Sequence, residues 1–270
     1  TDGGSPTVSL SANGIAPELN VSQELNGDFG QVRVGSSAQG TVVVENTGNA
    51  TLVLETPQIS GSNGFTVVSG SQPVSLSPGE TTTYAVAFTP TAAQDSTGTF
   101  ELAANASYIS SYTADLSGAG IEADASLSPS TIDFGSIEVG NSSETTVTLE
   151  NAGAAGLDIT SVSVTGADPA AFSVSGLTTG TVPGETTESF TVTTSPSVTG
   201  SVSAQLVVET AQQGTLTATL GATGVEPDIQ IQRGSLTFDQ TRLGETDTAT
   251  LRIRNTGNAE LNVNSLALAG

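Results

Sequence analysis

The sequence predicts an all-β chain made of tandem β-sandwich repeats with about seven strands in each. Three observations lead there: the chain repeats itself at a steady period, apolar and polar residues alternate along short runs, and Gly, Pro and Asn separate those runs. No stretch carries the three-to-four spacing of an amphipathic helix. The repeat is read from motifs in a fixed order. Asp28-Phe29-Gly30 returns as Asp133-Phe134-Gly135 and, weakened, as Thr237-Phe238-Asp239. Val34-Gly35 returns as Val139-Gly140 and Leu243-Gly244, at spacings of 105 and 104 residues. Glu45-Asn46-Thr47-Gly48-Asn49-Ala50 returns as Glu150-Asn151-Ala152-Gly153-Ala154-Ala155, then as Arg254-Asn255-Thr256-Gly257-Asn258-Ala259. Pro78-Gly79-Glu80-Thr81 returns as Pro183-Gly184-Glu185-Thr186.

One more recurrence sets the boundaries. Leu116-Ser117-Gly118-Ala119-Gly120-Ile121-Glu122 matches Leu220-Gly221-Ala222-Thr223-Gly224-Val225-Glu226, and Leu10 to Pro17 reads the same way. Residues 1–14 are therefore expected to hold, over 7–14, the last strand of a preceding repeat or an N-terminal strand of the donor type. Residues 15–120 and 121–224 are two full repeats, and residues 225–270 open a third that stops less than halfway.

Within each repeat the elements follow in order. Phe29, Phe134 and Phe238, at matched positions in the opening strand, are expected to plug the core at a strand bend. The next strand places Val42/Val44, Val147/Leu149 and Leu251/Ile253 on an inward face, and Val43/Glu45, Thr148/Glu150 and Arg252/Arg254 on an outward one; half-buried antiparallel strands alternate in this way. Asn46-Thr47-Gly48 is expected to supply the positive φ angles of a tight hairpin. Strands are then expected near 52–60, 65–68, 81–88, 99–106 and 111–117, with counterparts near 157–165, 171–175, 186–194, 201–209 and 214–220. About seven short strands in ~105 residues is the pattern of an immunoglobulin-like sandwich.

Composition narrows the function. Hydrophobic residues make up 36% of the 270 and aromatics 4%, so the cores must be built from Val, Leu, Ile and Ala. The chain has no Cys, His, Met, Trp or Lys. No disulfide can form, and the missing Met implies that Thr1 follows a processing site or an excision. No apolar run approaches the ~18 residues of a membrane span. A net charge of −22, from 27 acids against five Arg, repels phosphate backbones and anionic membrane surfaces, so no nucleic-acid partner is expected. Without His or Cys there is no conventional acyl-transfer triad, and without Lys no Schiff base. A carboxylate pair could hydrolyse glycosides, but most Asp and Glu fall at outward strand positions or turns. The expectation is a protein that is not an enzyme.

The order Phe-Gly, Val-Gly, Asn-x-Gly-Asn, Pro-Gly and Leu-x-Gly-x-Gly resembles the ASPM/SPD-2/hydin (ASH) type of β-sandwich. Its prokaryotic form is the repeat of "choice-of-anchor D" surface proteins, and the resemblance covers residues 7–270. It implies an extracellular, cell-surface location and offers no catalytic residues. Dispersed acids with no Lys also resemble halophilic, especially haloarchaeal, proteins. No cofactor is expected other than a possible Ca²⁺, for which Glu122, Asp124, Glu226 and Asp228 at the repeat junctions are the candidates, against the plainer reading of a solvated acidic hinge. Asn20, Asn49, Asn105 and Asn141 stand in Asn-x-Ser/Thr glycosylation sequons.

Two functions follow as expectations. The first is a structural segment of an extracellular appendage: a stalk, filament, sheath or S-layer-like component. The second is an adhesin or receptor-binding fibre module. The expected partner is another copy or another surface protein. Residues 121–224 carry eleven acids and no Arg, whereas 225–270 carry six acids and four Arg. Val8 and Leu10 in the N-terminal strand, with Arg242, Arg252 and Arg254, are accordingly the candidates for a head-to-tail contact between copies.

Overall fold

The structure is a computed structural model; it describes residue 5 and residues 7–61, 63–238 and 240–267. The chain divides into two compact units, 1–122 and 123–270. The first contains β1 (Leu19–Gln23), β2 (Asp28–Arg33), β3 (Ala38–Asn46), β4 (Leu52–Leu54), β5 (Gln58–Gly61), β6 (Phe65–Ser69), β7 (Val74–Leu76), β8 (Thr81–Phe88), β9 (Asp95–Ala103) and β10 (Ser111–Ile121). One sheet runs β1-β3-β8-β6 and the other β2-β10-β9-β5, with β4 and β7 forming a separate ribbon.

The second unit contains β11 (Ala125–Ser128), β12 (Thr131–Glu138), β13 (Ser143–Asn151), β14 (Leu157–Thr165), β15 (Phe172–Ser175), β16 (Gly180–Val182), β17 (Thr186–Thr194), β18 (Gly200–Thr210) and β19 (Gly214–Val225). Its sheets run β11-β13-β17-β15 and β12-β19-β18-β14-β16. The same unit ends in a short ribbon of β20 (Ile229–Ile231) and β21 (Ile253–Asn255). A single 3₁₀ turn at Pro169–Ala171 is the one helical element among the described residues.

Alternation along the strands sets both cores. Val42 and Val44 in β3 are fully buried, as are Val147 and Leu149 in β13, while the residues between them are partly exposed. Across the sheet Val147 faces Phe190 of β17 in an antiparallel ladder. The core of the first repeat gathers Leu52, Leu54, Phe88, Phe100 and Leu102, and that of the second Leu157, Leu206, Val208 and Leu220. Each is a continuous apolar cluster between two sheets, as a β-sandwich requires.

More strands form than the seven expected: the opening stretch of each repeat splits, the span expected at 52–60 divides into β4 and β5, and β7 and β16 are short additional strands. β1 joins one sheet and β2 the other, and Leu25, between them, is buried in the core. β11 and β12 divide in the same way. β2 and β12 then lie parallel to β10 and β19, the last strands of their repeats.

The Asp-Phe-Gly motif explains the bend. Asp28 Oδ1 accepts the Gly30 N–H at 3.0 Å, and Asp133 Oδ1 accepts that of Gly135 at 2.9 Å. Both glycines sit at positive φ, +62° and +68°, where a side chain is disfavoured, and the β12 ladder slips between Asp133 and Ser136. The bulge turns the preceding ring inward. Phe29 lies 5.7 Å from Phe65 and 6.0 Å from Phe88, centroid to centroid, and Phe134 lies 6.3 Å from Phe172.

Three sequence expectations are corrected here. Phe238 is 58% exposed rather than a core plug: the motif is weakened to Thr237-Phe238-Asp239, and no strand of a facing sheet covers it among the described residues. Asp239 lies outside the described residues. The Asn-x-Gly turns contain no positive φ at Asn46, Thr47 or Gly48, nor at their counterparts, so the motif serves another purpose. In the third segment the strand covers Ile253–Asn255 and leaves out Leu251, which is 37% exposed. Apart from these three, residues 7–14 lie in no strand of the single chain, and Val8 and Leu10 are 81% and 95% exposed, open to a partner from another copy.

Candidate functional site

The most repeated local structure in the molecule surrounds the asparagine of each Asn-x-Gly turn. Asn46 ends β3 and is completely buried. Its Nδ2 donates to the carbonyls of Ala50 at 2.8 Å and Leu76 at 2.9 Å. Its Oδ1 accepts the N–H groups of Gly48 at 3.0 Å and Glu18 at 3.4 Å. Asn151 is likewise completely buried. It donates to Ala155, Val182 and Pro183 and accepts from Asp124 at 3.1 Å. At the third junction Asn255 donates to Ala259 at 2.6 Å and accepts from Gly257 at 3.0 Å and Asp228 at 3.2 Å.

The chemistry explains the choice of residue. A buried amide side chain presents an acceptor and two donors at one point, which lets it satisfy backbone groups from several segments at once. Each of the three amides, Asn46 and Asn151 buried and Asn255 exposed, holds its own turn and the chain leading into its repeat. The glycine two residues on serves close approach. A Cβ on Gly48 would lie 2.4 Å from the Ala16 carbonyl oxygen, and one on Gly257 would lie 2.3 Å from that of Glu226. Backbone bonds complete the clamp: Thr47, Ala152 and Thr256 donate their N–H groups to Glu18, Asp124 and Asp228 at 3.2, 2.7 and 2.8 Å. The sequence shows Asn-x-Gly three times, and by itself the motif predicts only a turn. Its position at the end of a strand with inward alternation was the available signal.

The predicted site residues fall around these clamps in different ways. Glu122, Asp124, Glu226 and Asp228 are all exposed at the junctions. The carboxylate of Asp228 is engaged by the Thr256 hydroxyl at 2.7 Å. Among the described residues no group of three or more acidic side chains gathers where a metal ion could bind. Of the sequon residues, all four are exposed. Asn49 and Asn105 nevertheless act inside the fold, accepting the N–H groups of Ala16 and Val53 at 2.8 Å each. Arg242, Arg252 and Arg254 are exposed, Arg254 within β21. Arg252, with Arg233 and Asp247, lines a shallow open cleft. The structure does not bring Val8 or Leu10 into any strand.

Two sandwiches of this topology, each closed by a buried asparagine, define a tandem Ig-like β-sandwich protein. The family matches agree. Residues 19–111 match the ASH family (Abnormal spindle-like microcephaly-assoc'd, ASPM-SPD-2-Hydin), and residues 123–222 match the HYDIN/CFA65/VesB-like, Ig-like domain. The two complete repeats are therefore Ig-like domains, the first similar to the ASH family and the second to the HYDIN/CFA65/VesB-like one. No curated protein matches the sequence. Among solved structures, a protein of unknown function from Porphyromonas gingivalis W83 is 15% identical, covers 76% of this chain and 99% of its own, and has a TM-score of 0.32. The ASH/PapD-like domain 7 of human CEP192 is 15% identical over 44% of this chain and 96% of its own, with a TM-score of 0.31. The secreted serine protease VesC from Vibrio cholerae is 14% identical over 65% of this chain and 45% of its own, with a TM-score of 0.31. Such low scores lend these structures no weight in assigning a function.

Proposed function

We propose that the chain is a structural segment of an extracellular surface appendage, in which Ig-like repeats in series act as a spacer and no repeat performs catalysis. The observation that carries this reading is the clamp built three times over, at Asn46, Asn151 and Asn255. Each clamp ties the chain leading into a repeat to that repeat's own turn. A site selected for chemistry would be expected to differ from repeat to repeat; here the recurring feature holds the chain itself. The acidic surface suits an aqueous exterior, and a high-salt medium would screen its self-repulsion. The partner under this reading is another copy or a neighbouring surface protein.

One observation favours the alternative, an adhesin module. The loop between β9 and β10 exposes Tyr108 at 90% and Ile109 at 55%, whereas its counterpart between β18 and β19 is the short turn Ala211-Gln212-Gln213. Exposed aromatic and aliphatic side chains are the usual anchors of a protein interface. Immunogold electron microscopy of source cells, whole and in thin section, tests both. Label distributed along an appendage or surface layer is expected; label confined to appendage tips would favour the adhesin, and label confined to the cell interior would overturn both.

A further inference from the structure

Four asparagines stand in glycosylation sequons, and the fold treats them in two different ways. Asn49 is occupied: its Oδ1 accepts the Ala16 N–H at 2.8 Å and its Nδ2 donates to the Gly14 carbonyl at 3.2 Å. A second residue of the chain explains why it is there. At the third junction Asn258 accepts the Glu226 N–H at 2.8 Å, the same contact at the same place in the repeat. Asn258 is followed by Ala259-Glu260 and lies in no sequon. The asparagine at this position is thus accounted for by its hydrogen bond to the lead-in backbone, without glycosylation; the middle repeat, with Ala154, does without the contact. Asn105 is occupied as well. Its Oδ1 accepts the Val53 N–H at 2.8 Å while its own N–H donates to the Val53 carbonyl at 3.1 Å.

Asn20 and Asn141 are different. Asn20 lies on β1, an edge strand of its sheet, where it is exposed beside a buried Leu19. Its side-chain amide has no hydrogen-bond partner among the described residues. The sequon serine, Ser22, is exposed too. Asn141 sits in the turn after Gly140, and its Nδ2 touches only the exposed Glu138 carboxylate, at 3.2 Å. No backbone group depends on either amide.

From this contrast we infer that Asn20 and Asn141 are the N-glycan acceptors of the folded chain and that Asn49 and Asn105 are structural. In the transfer, Nδ2 attacks the anomeric carbon of a lipid-phosphate-linked oligosaccharide. The bond from that carbon to the phosphate oxygen breaks and its electron pair leaves on the phosphate, while Nδ2 gives up one of its two protons. A glycan at Asn49 would crowd the Gly14 carbonyl and the lead-in clamp. One at Asn20 disturbs no internal contact, and it stands beside an open strand edge, where bulk hinders the addition of a foreign strand. In the source cell this inference rests on the extracellular reading, since the modifying enzymes face away from the cytoplasm.

The test is to secrete the whole 270-residue chain from a host that glycosylates Asn-x-Ser/Thr and to map glycopeptides on the folded product by mass spectrometry. Glycans at Asn20 and Asn141, with bare Asn49 and Asn105, are expected. N20Q and N141Q should each remove one glycan mass and leave the melting temperature of the deglycosylated protein unchanged. N49Q and N105Q should remove no mass and lower that temperature. A glycan on Asn49 or Asn105, or a bare Asn20 or Asn141, overturns the assignment. If the expected pattern holds in that host, the site assignment stands even where the chain proves to be intracellular in its source, which the immunogold experiment decides.

Discussion

Replacing Asn151 by alanine should unfold the second repeat selectively. The side chain is completely buried and reaches four backbone groups, the Asp124 N–H and the carbonyls of Ala155, Val182 and Pro183. The contacts to Ala155 and Val182 are buried, and the other two are partly so. A buried polar group left without a partner costs ~1–3 kcal/mol, and a partly solvated one costs less because water replaces the bond. The expected loss for N151A is therefore about 3 kcal/mol, roughly a hundredfold in the folding equilibrium. In a domain of this size that is a fall in melting temperature of more than ~10 °C. The chain supplies its own reference, since all three tyrosines, Tyr84, Tyr108 and Tyr112, lie in the first repeat. Tyrosine fluorescence follows that repeat alone, while far-ultraviolet circular dichroism follows both. In urea, N151A should shift a component of the dichroism curve and leave the tyrosine transition in place, and N46A should shift the tyrosine transition. A loss below about 1 kcal/mol for N151A would refute the claim that the buried amide holds the repeat together.

The remaining predictions bear on the register, a buried hydroxyl and the surface charge. Leu149→Ala should cost ~2–5 kcal/mol because Leu149 is fully buried, whereas Thr148→Ala, which loses one exposed hydrogen bond to the Ser128 carbonyl, should cost well under ~1; equal losses by urea titration would place the strand one residue out of register. Tyr84 is fully buried with its hydroxyl unpaired, and Phe190 holds the same inward site opposite Val147 that Tyr84 holds opposite Val42. Tyr84→Phe should therefore stabilise the first repeat, by about 1 kcal/mol, and a loss of stability on this substitution would contradict the reading. Burial raises the Tyr84 pKa above 10.0. The unfolded chain then releases that proton first, so stability falls as pH rises through and beyond about 10, and the part of that fall due to Tyr84 should be missing in Y84F. Finally, a net charge of −22 should make the unfolding midpoint rise between about 0.1 M and 2 M NaCl as the Debye length shrinks toward ~3 Å. An unchanged midpoint would remove the case for a high-salt origin.

The sandwich was legible because its long strands alternate cleanly. The spans expected at 81–88, 157–165 and 186–194 coincide with β8, β14 and β17, whose pattern needs nothing beyond local sequence. The single strand expected from 52 to 60 breaks at Glu55–Pro57, where Leu52–Leu54 leaves to pair with β7. That pairing is a long-range event with no local sign. The clamp asparagines were hidden for a different reason. An asparagine before a glycine is the commonest hairpin signal, and only the burial supplied by distant segments such as Leu76 and Glu18 turns it into a hub. Sequon spacing found Asn49 and Asn20 equally, because a motif records the acceptor and not what the amide is already doing. Phe238 shows the limit of reading by repetition, since a repeated residue is buried only where its neighbours also recur.

The parallel pairing of β2 with β10, and of β12 with β19, has a mechanical consequence. In each repeat the strand near its beginning lies beside the strand at its end, and the two run in the same direction. Tension on the chain pulls the front of β2 one way and the back of β10 the other, along the strand axis. The ladder from Ser117↔Asp28 to Ile121↔Arg33 is then loaded in shear, with all its hydrogen bonds strained together. An antiparallel hairpin pulled from its open end would instead peel one bond at a time. The arrangement makes each repeat resist stretching with the sum of its bonds, and the same geometry recurs from Thr131↔Thr219 to Glu138↔Val225 in the next one.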